Sequence, residues 1–224
     1  MSFSVLPTNR SLGLMWRKPA DDGYLGAVPL EMLAPETGVD VDTFMTSVRK
    51  AITTRDASLL KKAAHDFEVV VFMAGEVPSS LIEWMLGCLQ SPEYLAMQES
   101  WPLLNIFESN WDALSESQRM DLFTVMEATY ALHEDWMSCF VITEMLGNNY
   151  ADDRALALLQ RLTETPSDVR RSLVPHGLEH FASSSVPDLA ARATALLHAM
   201  ARDASPRVRE EVAKSLRTLA SHAK

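Results

Sequence analysis

Positive charge is almost missing from the middle of this chain. Between Lys62 and Arg154, 91 residues carry 16 Asp or Glu and a single basic residue, Arg119, a block of net charge −15. The rest of the chain is +5, so the overall −10 conceals a segregation. An even scatter of the 20 Lys and Arg over 224 positions would place about eight in such a window, so composition alone does not produce the gap. A phosphate backbone is held by Lys and Arg that displace its counterions. The block therefore argues against a nucleic-acid groove.

Other shortages narrow the field further. The two cysteines, Cys88 and Cys139, each fall inside an apolar helical pattern, EWMLGCLQ and WMSCFVI. Free cysteine in such a setting behaves as a small hydrophobe, so buried thiols are expected rather than a disulfide, as in a reducing compartment. No stretch approaches the roughly 18 to 20 uncharged apolar residues of a membrane span. The start MSFSVLPTNRSLGLMWRKP lacks the apolar run and small-residue cleavage site of a signal peptide, and the expected address is the cytoplasm. There is no Gly-x-Ser-x-Gly elbow, no Gly-rich phosphate loop and no Cys-x-x-Cys pair, so nothing positive points to an enzyme or a cofactor.

What is present is a helical protein with a core. With 47% apolar residues a chain of this length can bury its own core without disulfides or metals. Residues 1–40 form an exception: four prolines (Pro7, Pro19, Pro29, Pro35) and four glycines (Gly13, Gly23, Gly26, Gly38) break any period. An irregular arm packing on the body is expected there. From Val41 the helical period takes over, as in Leu59, Leu60, Ala63, Ala64, Phe67, Val70 and Val71, and again in Leu122, Val125, Met126, Thr129, Tyr130 and Leu132.

Capping signals divide this stretch. Ser80 with Glu83 and Ser115 with Gln118 have capping-box spacing, while Ser91-Pro92, Thr165-Pro166 and Ser205-Pro206 put a hydroxyl before a first-turn proline. The marks predict helices near 41–53, 57–74, 79–90, 92–108, 116–132, 135–147, 152–164, 166–182, 187–202 and 206–222. They pair as five hairpins.

The last two hairpins repeat each other: RALALLQRL from Arg154 aligns with RATALLHAM from Arg192, and Val169-Arg170 with Val208-Arg209. Internal repetition at this period signals an α-solenoid. The segment DASPRVREEVAKSLRTLA, Asp203 to Ala220, closely resembles the second half of a HEAT repeat. The resemblance is specific over residues 152–222 and periodic only over 41–150, where a plain helical bundle is the alternative. It implies an all-α fold: a right-handed stack of about five antiparallel helical hairpins, forming one HEAT-like α-solenoid domain over 41–224. It also implies that Asp203 with Arg209, and Glu164 with Arg170 at the same spacing, are structural pairs bridging successive repeats.

The candidate functional surface is the acidic middle. Glu108, Trp111, Asp112, Glu116, Asp121, Glu127, Glu134, Asp135 and Trp136 are expected to bind a partner, with Trp111 and Trp136 as the aromatic anchors. A clustered negative field steers a basic partner and raises association rate more than affinity. By physical type the chain looks like the small acidic inhibitors, immunity proteins and antitoxins, that cover the basic cleft of a toxin domain. A HEAT-like scaffold joining cellular proteins is the alternative. HEAT-like DNA glycosylases for alkylated purines also use Trp and Asp on a concave surface, but theirs is basic, and a block of −15 around Trp111-Asp112 speaks against that activity.

Two histidine patterns remain. His176 and His180 in HGLEH stand on one helical face with Glu179 beside them, a spacing that can begin a metal site. No third ligand with supporting spacing lies nearby, so a surface pair without metal is expected. His133-Glu134-Asp135 and His65-Asp66 are sequence neighbours, which do not face each other on a helix. They are expected to cap helices and not to catalyse.

Overall fold

The computed structural model describes residues 41–74 and 77–222, and among these every regular element is helical, with no strand. The expected arm over residues 1–40 lies outside them. In chain order the helices are α1 (Val41–Thr54), α2 (Ala57–Ala74), α3 (Ser79–Leu89), the single turn α4 (Pro92–Leu95) and α5 (Pro102–Ser109). There follow α6 (Glu116–Thr129), α7 (Trp136–Met145), α8 (Asp153–Leu162), α9 (Asp168–Arg171), α10 (Val174–Ala182), α11 (Pro187–Met200) and α12 (Pro206–His222). Two 3-10 turns, Trp111–Ala113 and Tyr130–Leu132, flank α6, and a π-helical turn, Leu146–Tyr150, extends α7.

The starts follow the capping chemistry with instructive exceptions. Ser115 and Gln118 close a reciprocal box at the start of α6, and Ser91 accepts from the Tyr94 amide with Pro92 at the first position of α4. Ser80 does not cap: α3 begins after Pro78 with no side-chain cap. Nor does a helix start at Pro166, because Ser167 caps the short α9 instead. The two long helices expected at 92–108 and 166–182 are each broken. Pro175 stands near the start of α10, where its ring, lacking an N–H and clashing with the Arg171 carbonyl four residues back, ends α9. Helix α4 stops at Leu95, well before Pro102 starts α5, and Glu99 between them takes a left-handed φ of 56°.

Packing alternates. The helix pairs α1 with α2, α8 with α10, and α11 with α12 lie against each other. One continuous row of contacts then runs from α2 to α5, α7, α10 and α12, while α3 meets α6 and α8 meets α11. The core lies between these rows and includes Phe44, Leu60, Phe67, Met85, Tyr94, Phe107, Phe123, Tyr130, Ile142, Leu159, Phe181 and Val212. Cys139 is buried and Cys88 partly so, both free thiols, and burial pushes each up to about 11, as expected of apolar packing and not of reactive sulfur.

Polar staples tie successive helices and turns together. The buried Tyr94 hydroxyl donates to the Ser100 carbonyl (3.1 Å), and the Ser100 and Ser138 hydroxyls lie 2.9 Å apart. Further along, the Tyr130 hydroxyl donates to the Arg170 carbonyl (2.9 Å), and Arg170 donates to the His133 carbonyl. At the last junction the Asp203 carboxylate takes a two-pronged bond from Arg171 at 3.0 and 3.2 Å, which holds its carboxyl below the ordinary range. The structural pairs are thus built differently from the expectation. Asp203 pairs through its carboxylate with Arg171, while Arg209 donates to the Asp203 and Ala204 carbonyls. Arg170 serves the His133 carbonyl and Glu164 is exposed. Arg171 is the last residue of α9, which packs against α12.

Candidate functional site

The exposed face of α6 carries much of the acidic field. Ser117, Met120, Asp121, Thr124, Glu127 and Ala128 are exposed at three- and four-residue steps, while Leu122, Phe123, Val125 and Met126 face inward. Asp112 and Glu116 are exposed before and at its start, and Glu134 after its end. Edge carboxylates of the acidic block are matched by cations from outside it: Lys61 with Glu99, Lys62 with Asp66, Arg161 with Glu127, and Arg192 with Asp153. Among the described residues Asp112, Glu116, Asp121 and Glu134 have no ion pair. Glu108 is half-buried. The block's one arginine does nothing to neutralise them. Arg119 lies over the Trp111 ring, 4.8 Å from its centroid, and donates to the Trp111 carbonyl at 2.9 Å.

The two candidate anchors separate. Trp136 opens α7 with 53% of its surface exposed, and Leu132, three residues before the cap, is 59% exposed. Leu132 is a correction to the expected apolar face, because the chain leaves α6 for a 3-10 turn at Tyr130 and rotates it outward. Trp111 is only partly exposed: Tyr150 meets its ring edge-on at 4.7 Å and Arg119 covers its face. It is a packing residue at this junction.

Asp135 is also corrected. It is 3% exposed. One carboxylate oxygen accepts from the Ser138 amide (3.2 Å), the Ser138 hydroxyl (3.0 Å) and the Trp101 amide (3.3 Å), and the other from the Met137 amide (3.3 Å). It caps α7 and ties it to the start of α5, leaving no capacity for a partner.

Beside it, His133 is 1% exposed and neither ring nitrogen has a hydrogen-bond partner. Burial lowers its affinity for a proton to about 4, with Arg170 acting in the same direction and Asp135 opposing both. The neutral ring fits a T-shaped contact with Tyr94 at 5.7 Å. Because the folded value lies below the unfolded 6.5, protons bind preferentially to the unfolded chain and stability falls as pH drops from 6.5 toward 4. Urea melts at pH 7 and pH 5 should differ by about 2 kcal/mol, and His133→Leu should remove most of that difference. An unchanged pH slope in the variant would show that His133 is not its source.

A second polar cluster lies between α7 and α10. Glu144 stands in the apolar run WMSCFVITEM and is 9% exposed. The His176 Nε2 bonds its Oε2, and the His180 Nε2 lies 3.2 Å from the same oxygen. Burial alone would raise the Glu144 carboxyl, but the two imidazoles outweigh it and hold it at about 2. For His180 the Glu144 contact outweighs burial and moves it upward. His176 stacks on Phe140 (4.7 Å, 20°) and meets His180 edge-on at 5.0 Å.

Two glycines make this approach possible. A Cβ at Gly147 would stand 2.5 Å from the Gly177 carbonyl oxygen, and one at Gly177 would stand 2.7 Å from that of Thr143. Glu144, 32 residues upstream, brings a third donor atom beside the histidine pair, one that sequence spacing did not show. The sequence did hold a signal for it. A carboxylate in an apolar helix demands a partner, because an unpaired buried charge is costly. No protein-family model, curated protein or solved structure matches this chain.

Proposed function

We propose that the protein is a helical binding module that docks a basic protein domain on the outer face of α6 and the turn that follows it. The carrying observation is the Leu132–Trp136 turn, where two large exposed apolar side chains flank Glu134 beside carboxylates that have no ion pair among the described residues. Apolar anchors supply affinity when a partner desolvates them, and unpaired carboxylates around them speed the encounter. An inhibitor that covers the cationic cleft of a toxin domain has this design, and that is the occupant to which the proposal commits. The alternating helix contacts and the repeated turn-to-turn staples also support a HEAT-like solenoid as the scaffold, because such stacks bury each hairpin only against its neighbours.

The test begins with capture of partners from native cells at low and high salt, followed by kinetics with the purified partner. The partner should carry a basic domain. Reversing Asp112, Glu116, Asp121 and Glu134 to Lys should slow association about tenfold or more at low ionic strength. Trp136→Ala should leave that rate nearly unchanged and speed dissociation, by about 30-fold for an anchor of typical worth. An acidic partner, or kinetics indifferent to both sets of changes, would sink the proposal.

A further inference from the structure

We propose that Glu144, His176 and His180 bind a divalent transition-metal ion of the zinc class through two imidazole nitrogens and one carboxylate oxygen, with water completing the shell. The donor set is the one that such ions select: imidazole is a borderline ligand, and a carboxylate adds charge without making the site soft enough to favour copper(I). Magnesium and calcium prefer shells of oxygen and are disfavoured by two nitrogens.

One donor pair already has the separation the ion requires, and the His176–Glu144 hydrogen bond opens to admit it. Two donors each about 2.0–2.1 Å from a tetrahedral zinc lie roughly 3.3 Å apart. The three candidate donor atoms all fall within 4.8 Å of one another, and the His180 Nε2 stands 3.2 Å from the Glu144 Oε2. Both imidazoles present the same nitrogen to the same carboxylate oxygen. Convergence of this kind needs fixed rings and a fixed backbone. The four-residue spacing on α10 sets the two histidines on one face, the Phe140 stack holds one ring, and the glycine contact at Gly147 and Gly177 sets the distance to α7. The histidine side chains are each 29% exposed and that of Glu144 11%, so an ion and its water can reach the donors from one side.

A hydrogen-bonded cluster without metal would show the same three residues together, and the two cases differ in measurable ways. Metal-stripped full-length protein is titrated with Zn2+ by calorimetry and with Co2+ while visible absorption is followed. One ion per chain is expected, with Co2+ giving the strong absorption of a four- or five-coordinate site. His180→Ala and Glu144→Gln should each weaken Zn2+ binding by about 100-fold or more, whereas His198→Ala, at an exposed position on α11, should not. Zn2+ should raise the melting temperature of the wild type and not of the two site variants. Should His180→Ala fail to fold, Glu144→Gln, which keeps a hydrogen-bonding oxygen, decides the matter. Binding that survives Glu144→Gln, or Co2+ that keeps the pale spectrum of the aqueous ion, overturns the assignment.

Discussion

Gly147→Ala is expected to destabilise the protein by about 2 kcal/mol, although alanine is the better helix former. The added Cβ would sit 2.5 Å from the Gly177 carbonyl oxygen, 3.1 Å from its carbonyl carbon and 3.0 Å from the His180 Cβ. Two of these neighbours are backbone atoms, so no side chain can rotate away and α10 must move. Overpacking of this kind costs about 1–3 kcal/mol and occasionally more. The intrinsic gain of alanine over glycine, about 0.5–1 kcal/mol, offsets only part of it. Gly87→Ala is the matched control. A Cβ there meets nothing within 4 Å and the position is exposed within α3, so this variant should gain about 0.5–1 kcal/mol. Thermal melts of the two variants should shift in opposite directions, by roughly 2–4 °C for each kcal/mol in a chain of this size. Melts that move together would mean that the α7–α10 contact relaxes freely. A shifted α10 should also part Glu144 from the histidines.

Asp135→Ala should be at least as severe, at about 3 kcal/mol. The carboxylate accepts from three backbone amides and one hydroxyl, and alanine leaves these donors buried or half-buried without partners. Loss of a helix cap alone costs about 0.5–2 kcal/mol, and each orphaned buried donor adds about 1–3 kcal/mol unless water reaches it. The neighbouring Glu134 is exposed, so Glu134→Lys should change stability by less than about 0.5 kcal/mol. Urea unfolding of the two variants separates the roles of adjacent acids. Equal midpoints would contradict the assignment of Asp135 as an interior staple.

This contrast also shows what the sequence could and could not reveal. Helical period and capping residues are local, and they located α1, α2, α6, α7, α8, α11 and α12 to within a few residues. The breaks before Pro102 and Pro175 were local too, but a proline close after a capping serine reads as one helix start rather than as a second one downstream. Asp135 was legible as a cap. That its other contact is the Trp101 amide, 34 residues away, depends on how distant helices pack, and no spacing rule encodes it. The same holds for Glu144, which meets histidines 32 and 36 residues later. For the candidate surface, Asp112, Glu116, Asp121 and Glu134 of the charge block are exposed. The block could not tell that Trp111 is clasped by Arg119 and Tyr150, because the clasp again joins distant segments.

The cross-border ion pairs give the acidic block an unexpected dependence on its surroundings. Lys61, Lys62, Arg161 and Arg192 lie outside the block in sequence, yet each touches a carboxylate at its edge. They act as tethered counterions, present at a local concentration that the chain's connectivity sets and that dilution of the buffer does not lower. Excision of residues 63–153 would strip them away and leave a segment of net charge −15 to repel itself. The flanking helices therefore supply, in covalent form, the salt that the middle of the molecule would otherwise need.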